Sequence, residues 1–176
     1  MTEWILGLLV LALIAWGIVI YNHLVRDRQR VLAGWSDIGV QLKRRHDLIP
    51  KLVDAVAQYA SYEQSTLADV TGLRAKAADI GSAAAQSSTE GSISRGLGAI
   101  YALVEDYPEL RANESFLQLQ GEISTVENDI QFARRYYNGA VRNLNTRIDS
   151  FPDLLLARLF NYTSAEYFEF EGSQSK

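Results

Sequence analysis

The sequence predicts an all-α protein: one N-terminal transmembrane helix followed by an elongated up-and-down bundle of three to four long antiparallel helices. Three observations lead there. The segment WILGLLVLALIAWGIVIY, Trp4 to Tyr21, carries no charge. Beyond it, apolar residues recur every three or four positions, the period of a helix with one buried face. The composition is rich in Ala, Leu, Gln, Arg and Glu, with only three prolines among 176 residues, and favours helix throughout.

The first element is the apolar segment. No Asp, Glu, Lys or Arg stands between Glu3 and Arg26, which is long enough to cross a hydrocarbon core of ~30 Å. A cleaved signal peptide is the competing reading. It is disfavoured because the segment lacks a basic leader and a small-x-small cleavage site and runs too long. Trp4 and Tyr21 suit the two membrane interfaces, whereas Trp16 falls inside the core.

Arg26, Arg28 and Arg30 follow the span, while only Glu3 precedes it. The bias of cations toward the cytoplasmic side predicts a single-pass protein of the inner (cytoplasmic) membrane, with a short N-terminus outside and the C-terminal domain in the cytoplasm. The same three arginines are either topology signals alone or contacts for anionic lipid headgroups, on the order of 1 kcal/mol each.

The next helix carries Val31, Trp35, Ile38 and Leu42, then Leu52, Val56 and Tyr59, with Leu67, Val70 and Leu73 continuing the series. Asp47-Leu48-Ile49-Pro50 reads either as a helix start, with Asp47 as cap, or as a kink in one long helix. Gly81 to Gly98, GSAAAQSSTEGSISRGLG, is expected to be an interhelical loop and the most mobile part of the chain, because large apolar residues are missing until Ile93. A short helix from Ile93 to about Glu105 follows, with Pro108 opening the next.

The last pattern is the clearest. Phe116, Leu119, Ile123, Val126, Ile130, Ala133, Tyr137, Val141, Leu144, Ile148 and Phe151 form a near-heptad seam. Glu109 to Ser150 would make a rod of roughly 60 Å that must pack on partner helices. The chain thus divides into an anchor (1–25), a bundle (26–151) and an aromatic tail (152–176).

Composition excludes several function classes. A net charge of −4, made of both signs spread along the chain, argues against nucleic acid as a ligand. No cysteine is present, so thiolate catalysis, disulfides and Cys-based metal sites are out. No GxSxG, HExxH or Gly-rich phosphate loop occurs. No catalytic, metal-ligating or cofactor-binding residue is therefore assigned, and no cofactor is expected. His46 beside Asp47 has no second imidazole nearby to complete a metal site. Glu105, Asp106 and Glu109 around Pro108 are read as complementing a helix N-terminus.

Two stretches stand out as candidate interaction surfaces. Lys43, Arg44 and Arg45 place three cations within a turn, to meet headgroups or a partner's carboxylates, unless they are a solvated helix end. Arg134, Arg135, Tyr136, Tyr137 and Asn138 combine forked donors with rigid aromatic area. They form either an intermolecular contact surface or hydrogen bonds within the bundle. Leu159, Phe160, Tyr167, Phe168 and Phe170 load the tail with apolar area that must dock, either on its own chain or on a neighbour.

Two blocks, YNHLVRDRQRVLAGWSDIGVQLKRRHDLIPKLVDAVAQYA and YPELRANESFLQLQGEISTVENDIQFARRYYNGAVRNLNTRIDSFP, resemble the signature regions of the LemA family and cover about half of the chain. The resemblance implies a short N-terminus outside, one span and a cytoplasmic long-helical bundle; it implies no defined biochemical activity. Gly34, Gly39 and Lys51 depart from the pattern, and the two glycines serve either a close helix approach or nothing. The expected function is a membrane-anchored, non-catalytic scaffold that self-associates as a homo-oligomer on the lipid membrane. The alternative is a monomeric adaptor or sensor in envelope signalling, with an unidentified protein partner.

Overall fold

The structure is a computed structural model that describes residues 1–60, 64–77 and 83–168. Its helices are α1 (Thr2–Ala57), α2 (Gln64–Ala77), α3 (Ala83–Val104), α4 (Pro108–Arg111), α5 (Glu114–Asp149) and α6 (Asp153–Leu159). No strand occurs among the described residues. The all-α class is as the sequence predicts, with a long apolar N-terminal helix followed by helices packed together.

α1 runs without interruption from the apolar segment into the polar chain, and Pro50 lies inside it. The boundary expected at residue 25 is therefore not a break in secondary structure. Of the two readings of Pro50, the structure has the continuous helix. From Met1 to Trp16 every residue of α1 is exposed, so the segment able to cross a membrane is not a core helix of the bundle.

The chain separates into two compact units that interleave in sequence. The first joins residues 1–36 with 135–166; the second joins 37–134 with 167 and 168. In the first, α5 runs antiparallel to α1: Trp35 stands beside Tyr137, ring centroids 5.6 Å apart, and Asp27 pairs with Arg147. A Cβ on Gly34 would stand 3.1 Å from the Tyr137 Cα and from the Tyr136 ring. Gly34 is thus a true close-approach position, where any larger residue would push α5 away. Gly39 meets nothing within 4 Å and serves no such contact.

In the second unit the same antiparallel pairing recurs, with Arg45 against Glu127 and Tyr59 against Asn113. The rod expected from Glu109 begins instead at Glu114. The Asn113 side-chain oxygen accepts from the Phe116 N–H at 3.1 Å, capping α5, and leaves α4 as a separate turn opened by Pro108. The seam of α5 is buried from Phe116 to Ile148 except at Leu119 and Ala133, which are half-buried, and Phe151, just past the helix end, is exposed.

The expected loop from Gly81 to Gly98 is corrected: residues 83–104 form α3, and 81–82 lie outside the described residues. Its buried positions, Ala83, Gln86, Ser87, Glu90, Ile93, Leu97, Ile100 and Val104, keep the helical period. That period is carried by small and polar side chains, so a search for large apolar residues misses it. Their smallness lets α2 come close. A Cβ on Gly96 would fall 2.7 Å from the Val70 methyl, and this packing outweighs a propensity cost of about 1 kcal/mol per glycine.

Candidate functional site

In the second unit, the stripe Ile38, Leu42, Arg45, Ile49, Leu52 puts an arginine where the period demands an apolar side chain. Arg45 is 1% exposed. It is met by α3 and α5, which bring acceptors to it. Its Nη1 donates to Ser94 Oγ at 3.0 Å and to Glu127 Oε1 at 2.6 Å, and its Nη2 donates to the Glu90 carboxylate.

Glu90 is also 1% exposed, and its second oxygen is held by His46 Nε2 at 2.9 Å and accepts from Gln86 Nε2 at 2.7 Å. Arg74 Nε in turn donates to the His46 carbonyl at 3.0 Å. Burial pushes the Glu90 carboxyl up, but the His46 hydrogen bond and the Arg45 charge outweigh it and hold the group below the usual carboxylate value. The ion pair thereby joins α1, α3 and α5, and Arg74 ties α2 to the same place through the His46 carbonyl. Such pairs add little net stability but penalise misregistered packings, because a shift of one turn would strand a buried charge.

Beside this cluster, α3 and α5 leave an open groove of about 630 Å³ lined by Ser94, Tyr101, Leu117, Gln120 and Glu127. Gly98 and Gly121 also line it, each with open space where a Cβ would stand. The Tyr101 hydroxyl is buried with no hydrogen-bond partner among the described residues. Burial, and then the Glu127 charge, pushes it up to about 12. It remains a neutral donor at every physiological pH. A groove with a bare floor, an unused donor and one carboxylate can accept a backbone or a polar side chain.

In the first unit Asp27 occupies the equivalent seam slot between Leu24 and Val31 and is buried. Arg147 bridges it to Asp153, at 2.6 and 2.8 Å, and Arg30 reaches its other oxygen at 3.1 Å. The Asp27 hydrogen bond, reinforced by Asp153 against some desolvation, holds the Arg147 guanidinium even higher than usual. These residues, with Arg142, line a second groove of about 400 Å³.

The residues singled out in the sequence are distributed as follows. Lys43 is exposed and pairs with Asp47, and Arg44 pairs with Asp129. Arg45 is interior and so does not belong to an interaction surface. Arg134 lies over the Phe168 ring at 5.5 Å, and burial lowers its pKa. Arg135 and Tyr136 are exposed and Asn138 is half-buried. Tyr137 is buried and donates to the Glu166 carbonyl at 2.8 Å; it too leaves the proposed surface. Arg26, Arg28 and Arg30 are exposed, Arg28 stacking over Tyr162 at 5.8 Å.

In the tail, Leu159, Phe160 and Tyr167 are exposed, whereas Phe168 is fully buried within its own chain. Phe170 lies outside the described residues. Asn145 holds the tail at two points, accepting from the Ala165 N–H at 2.9 Å and donating to its carbonyl at 3.0 Å.

Sequence reasoning missed Glu90, Glu127, Asp27 and Arg147. A signal existed for one of them, Asp27, and also for the burial of Arg45. Asp27 and Arg45 each stand three residues after one buried Leu and four before the next buried Val or Ile. A charge at a seam position announces a buried partner. Among the described residues no group of three or more His, Asp or Glu is placed to hold a metal ion.

Comparison with known proteins agrees with this architecture. Residues 34–176 match the model of the LemA family. The chain is 30% identical to Protein LemA of Metamycoplasma hominis over 131 residues, covering 74% of this chain and 60% of the relative. It is 27% identical to magnetosome protein MamQ 2 of Paramagnetospirillum magneticum, covering 91% and 68%. It is 24% identical to magnetosome protein MamQ of Magnetospirillum gryphiswaldense, covering 84% and 64%. The chain thus spans about three fifths to two thirds of the relatives' lengths. With the signature blocks in order, the long apolar first helix and the family match across most of its length, this chain belongs to the LemA family.

Proposed function

We propose that this protein is a membrane-anchored, non-catalytic scaffold that self-associates at the cytoplasmic face of the inner membrane. The observation that carries the reading is a pair of large aromatic side chains exposed on α5. Phe132 and Tyr136, four residues apart on α5, are 63% and 52% exposed. Large aromatics at one helical spacing, flanked by Arg135, are what protein interfaces favour and a solvated face does not. The anchor confines copies to two dimensions, which raises their effective concentration and lets a modest patch suffice. Arg26, Arg28 and Arg30 at the end of the span hold anionic headgroups and keep the bundle on the cytoplasmic side. The family relationship and the relatives named as magnetosome proteins are consistent with a membrane-associated role.

The test is the mass of the full-length protein in a mild detergent at several concentrations, beside Phe132→Ser/Tyr136→Ser. A discrete assembly that dissociates in the double variant supports the scaffold. A monomer in both discards it.

A second reading, a monomeric adaptor that docks one protein partner, is favoured by the groove between α3 and α5 with its unused Tyr101 donor. It predicts that a bulky Gly121→Trp change abolishes partner binding and leaves the mass unchanged.

A further inference from the structure

We infer that α6 is a second membrane contact: a short wedge lying in the acyl layer of the leaflet on the bundle's side, packed against the end of the span. This goes beyond self-association and rests on α1 being the transmembrane helix.

Leu156 Cδ2 lies 3.8 Å from where a Cβ on Gly17 would stand. Gly17 is nine residues before Arg26, the first charged residue after the apolar segment. At 1.5 Å per residue this is about 13 Å along α1 toward the membrane. Even measured from the polar pair Asn22-His23, Gly17 is five residues deeper, about 7 Å, which is the depth at which interfacial helices bury their apolar faces. If α1 crosses the bilayer where its sequence requires, Leu156 cannot be in water.

The path of the chain around α6 has the form of a dip and return. Asp153, at the start of α6, is tied through Arg147 to Asp27. Leu156 reaches Gly17. Phe160 then packs on Tyr21, ring centroids 4.8 Å apart, and Tyr162 lies under Arg28. The chain descends from Asp27 to Gly17 and climbs back to Arg28. The return is built into the backbone: Asn161 adopts a left-handed conformation, φ 54°. The Tyr162 N–H donates to the Ala157 carbonyl at 2.9 Å and the Asn161 N–H to the Arg158 carbonyl at 3.2 Å. This Schellman closure satisfies the Ala157 and Arg158 carbonyls internally, as suits a helix end in or near hydrocarbon.

The outer surface of the dip is apolar. Leu155 and Leu159, four residues apart, are 56% and 72% exposed, and Phe151, just before the helix, is 80% exposed. Ile18 and Val19, which follow Gly17 on the span, are exposed as well, and the contacts of Leu156 with Gly17 and of Phe160 with Tyr21 place α6 against this lipid-facing segment. The exposed Arg158 is long enough to bring its guanidinium back to the headgroups. The covering phase is therefore the lipid that already surrounds α1, rather than a separate partner.

The absence of cysteine from the chain makes the test direct. Single-cysteine full-length variants Leu155→Cys, Leu159→Cys, Leu9→Cys and Gln118→Cys are labelled with an environment-sensitive fluorophore. They are then reconstituted into phosphatidylcholine/phosphatidylglycerol vesicles. Quenching is measured with iodide in the water and with lipids bearing a nitroxide either near the glycerol or near the bilayer centre. The expected result is that positions 155 and 159 lose most of their fluorescence to the shallow nitroxide and little to iodide. Position 9 is expected to be quenched by nitroxide lipid and position 118 by iodide alone. Iodide quenching of 155 and 159 equal to that of 118, with 9 still protected, overturns the wedge while leaving the span intact. Protection of 155 and 159 from both iodide and nitroxide lipids also overturns it, since protein from a second copy then covers the patch. Loss of protection at 9 overturns the span on which the wedge depends.

Discussion

Arg45 of α1 and Glu90 of α3 face one another as an ion pair in which each side chain is 1% exposed. Neither can reach water if its partner is removed. Replacing Arg45 by Met is expected to destabilise the bundle by about 3–5 kcal/mol, because the Glu90 charge is left buried and only partly satisfied. Arg45→Met/Glu90→Met should recover much of that loss, as two apolar groups of similar volume need no partner. Thermal or denaturant unfolding of the detergent-solubilised protein, analysed as a double-mutant cycle, measures the coupling.

The same pair sets an acid limit. The Glu90 carboxyl titrates below its usual value in the folded protein, so the folded state binds this proton less readily than the unfolded state does. Its contribution is fully present above the ordinary glutamate value of 4.5. It is lost as pH falls from there through the depressed folded value. Stability followed from neutral pH down into that range should drop in the wild type. Glu90→Gln should be less stable at neutral pH and show a shallower acid limb.

Gly34 and Gly39 provide a matched comparison on one helix. Gly34→Leu must displace the α5 backbone at Tyr137, and overpacking of this kind costs about 1–3 kcal/mol. Gly39→Leu enters open space and should leave the melting temperature unchanged or slightly raised by better helix propensity.

The tail is held by Asn145, which both donates to and accepts from Ala165. Asn145→Ala should cost about 1–3 kcal/mol locally and should release residues 162–168. Hydrogen exchange at Ala165 is expected to speed up while the α5 amides around Val141 stay protected.

Asn161 occupies a left-handed position that closes α6. Asn161→Gly should be neutral or stabilising, whereas Asn161→Val should cost about 1–2 kcal/mol, since a β-branched residue resists positive φ. Unfolding midpoints of the two variants check this independently of membrane binding.

How much of this was legible in the sequence depends on which residues carried the period. The apolar segment, the α5 seam from Phe116 to Ile148 and the all-helical class follow from large apolar side chains at fixed spacing, a local property that needs no knowledge of neighbours. The second half of α3 was legible as a helix from Ile93, but its first half was not, because small and polar side chains carry the period there and Glu90 is buried for a reason that resides in another helix, Arg45 of α1. Asp27 and Arg45 carried a readable anomaly, a charge in an apolar slot, but their partners Arg147, Glu90 and Glu127 lie too far along the chain for spacing to reveal. The surface reading of Arg45 failed for the same reason, since an Arg in a polar run looks exposed until other helices supply its acceptors; of the two readings of Tyr137, the hydrogen bond within the chain holds, to the Glu166 carbonyl of the tail.

The chain by itself determined that a long uncharged helix opens the protein, that helices follow it, and that an apolar tail needs cover, because hydrophobic period, charge and length act locally. Only the tertiary structure decided that Pro50 lies within one continuous helix and that Phe168 docks on its own chain. It alone placed a buried ion pair among α1, α3 and α5 and brought Leu156 to the level of Gly17. Those outcomes depend on which groups meet across separations of tens to more than a hundred residues, where burial and hydrogen bonding outweigh the preferences of any single segment.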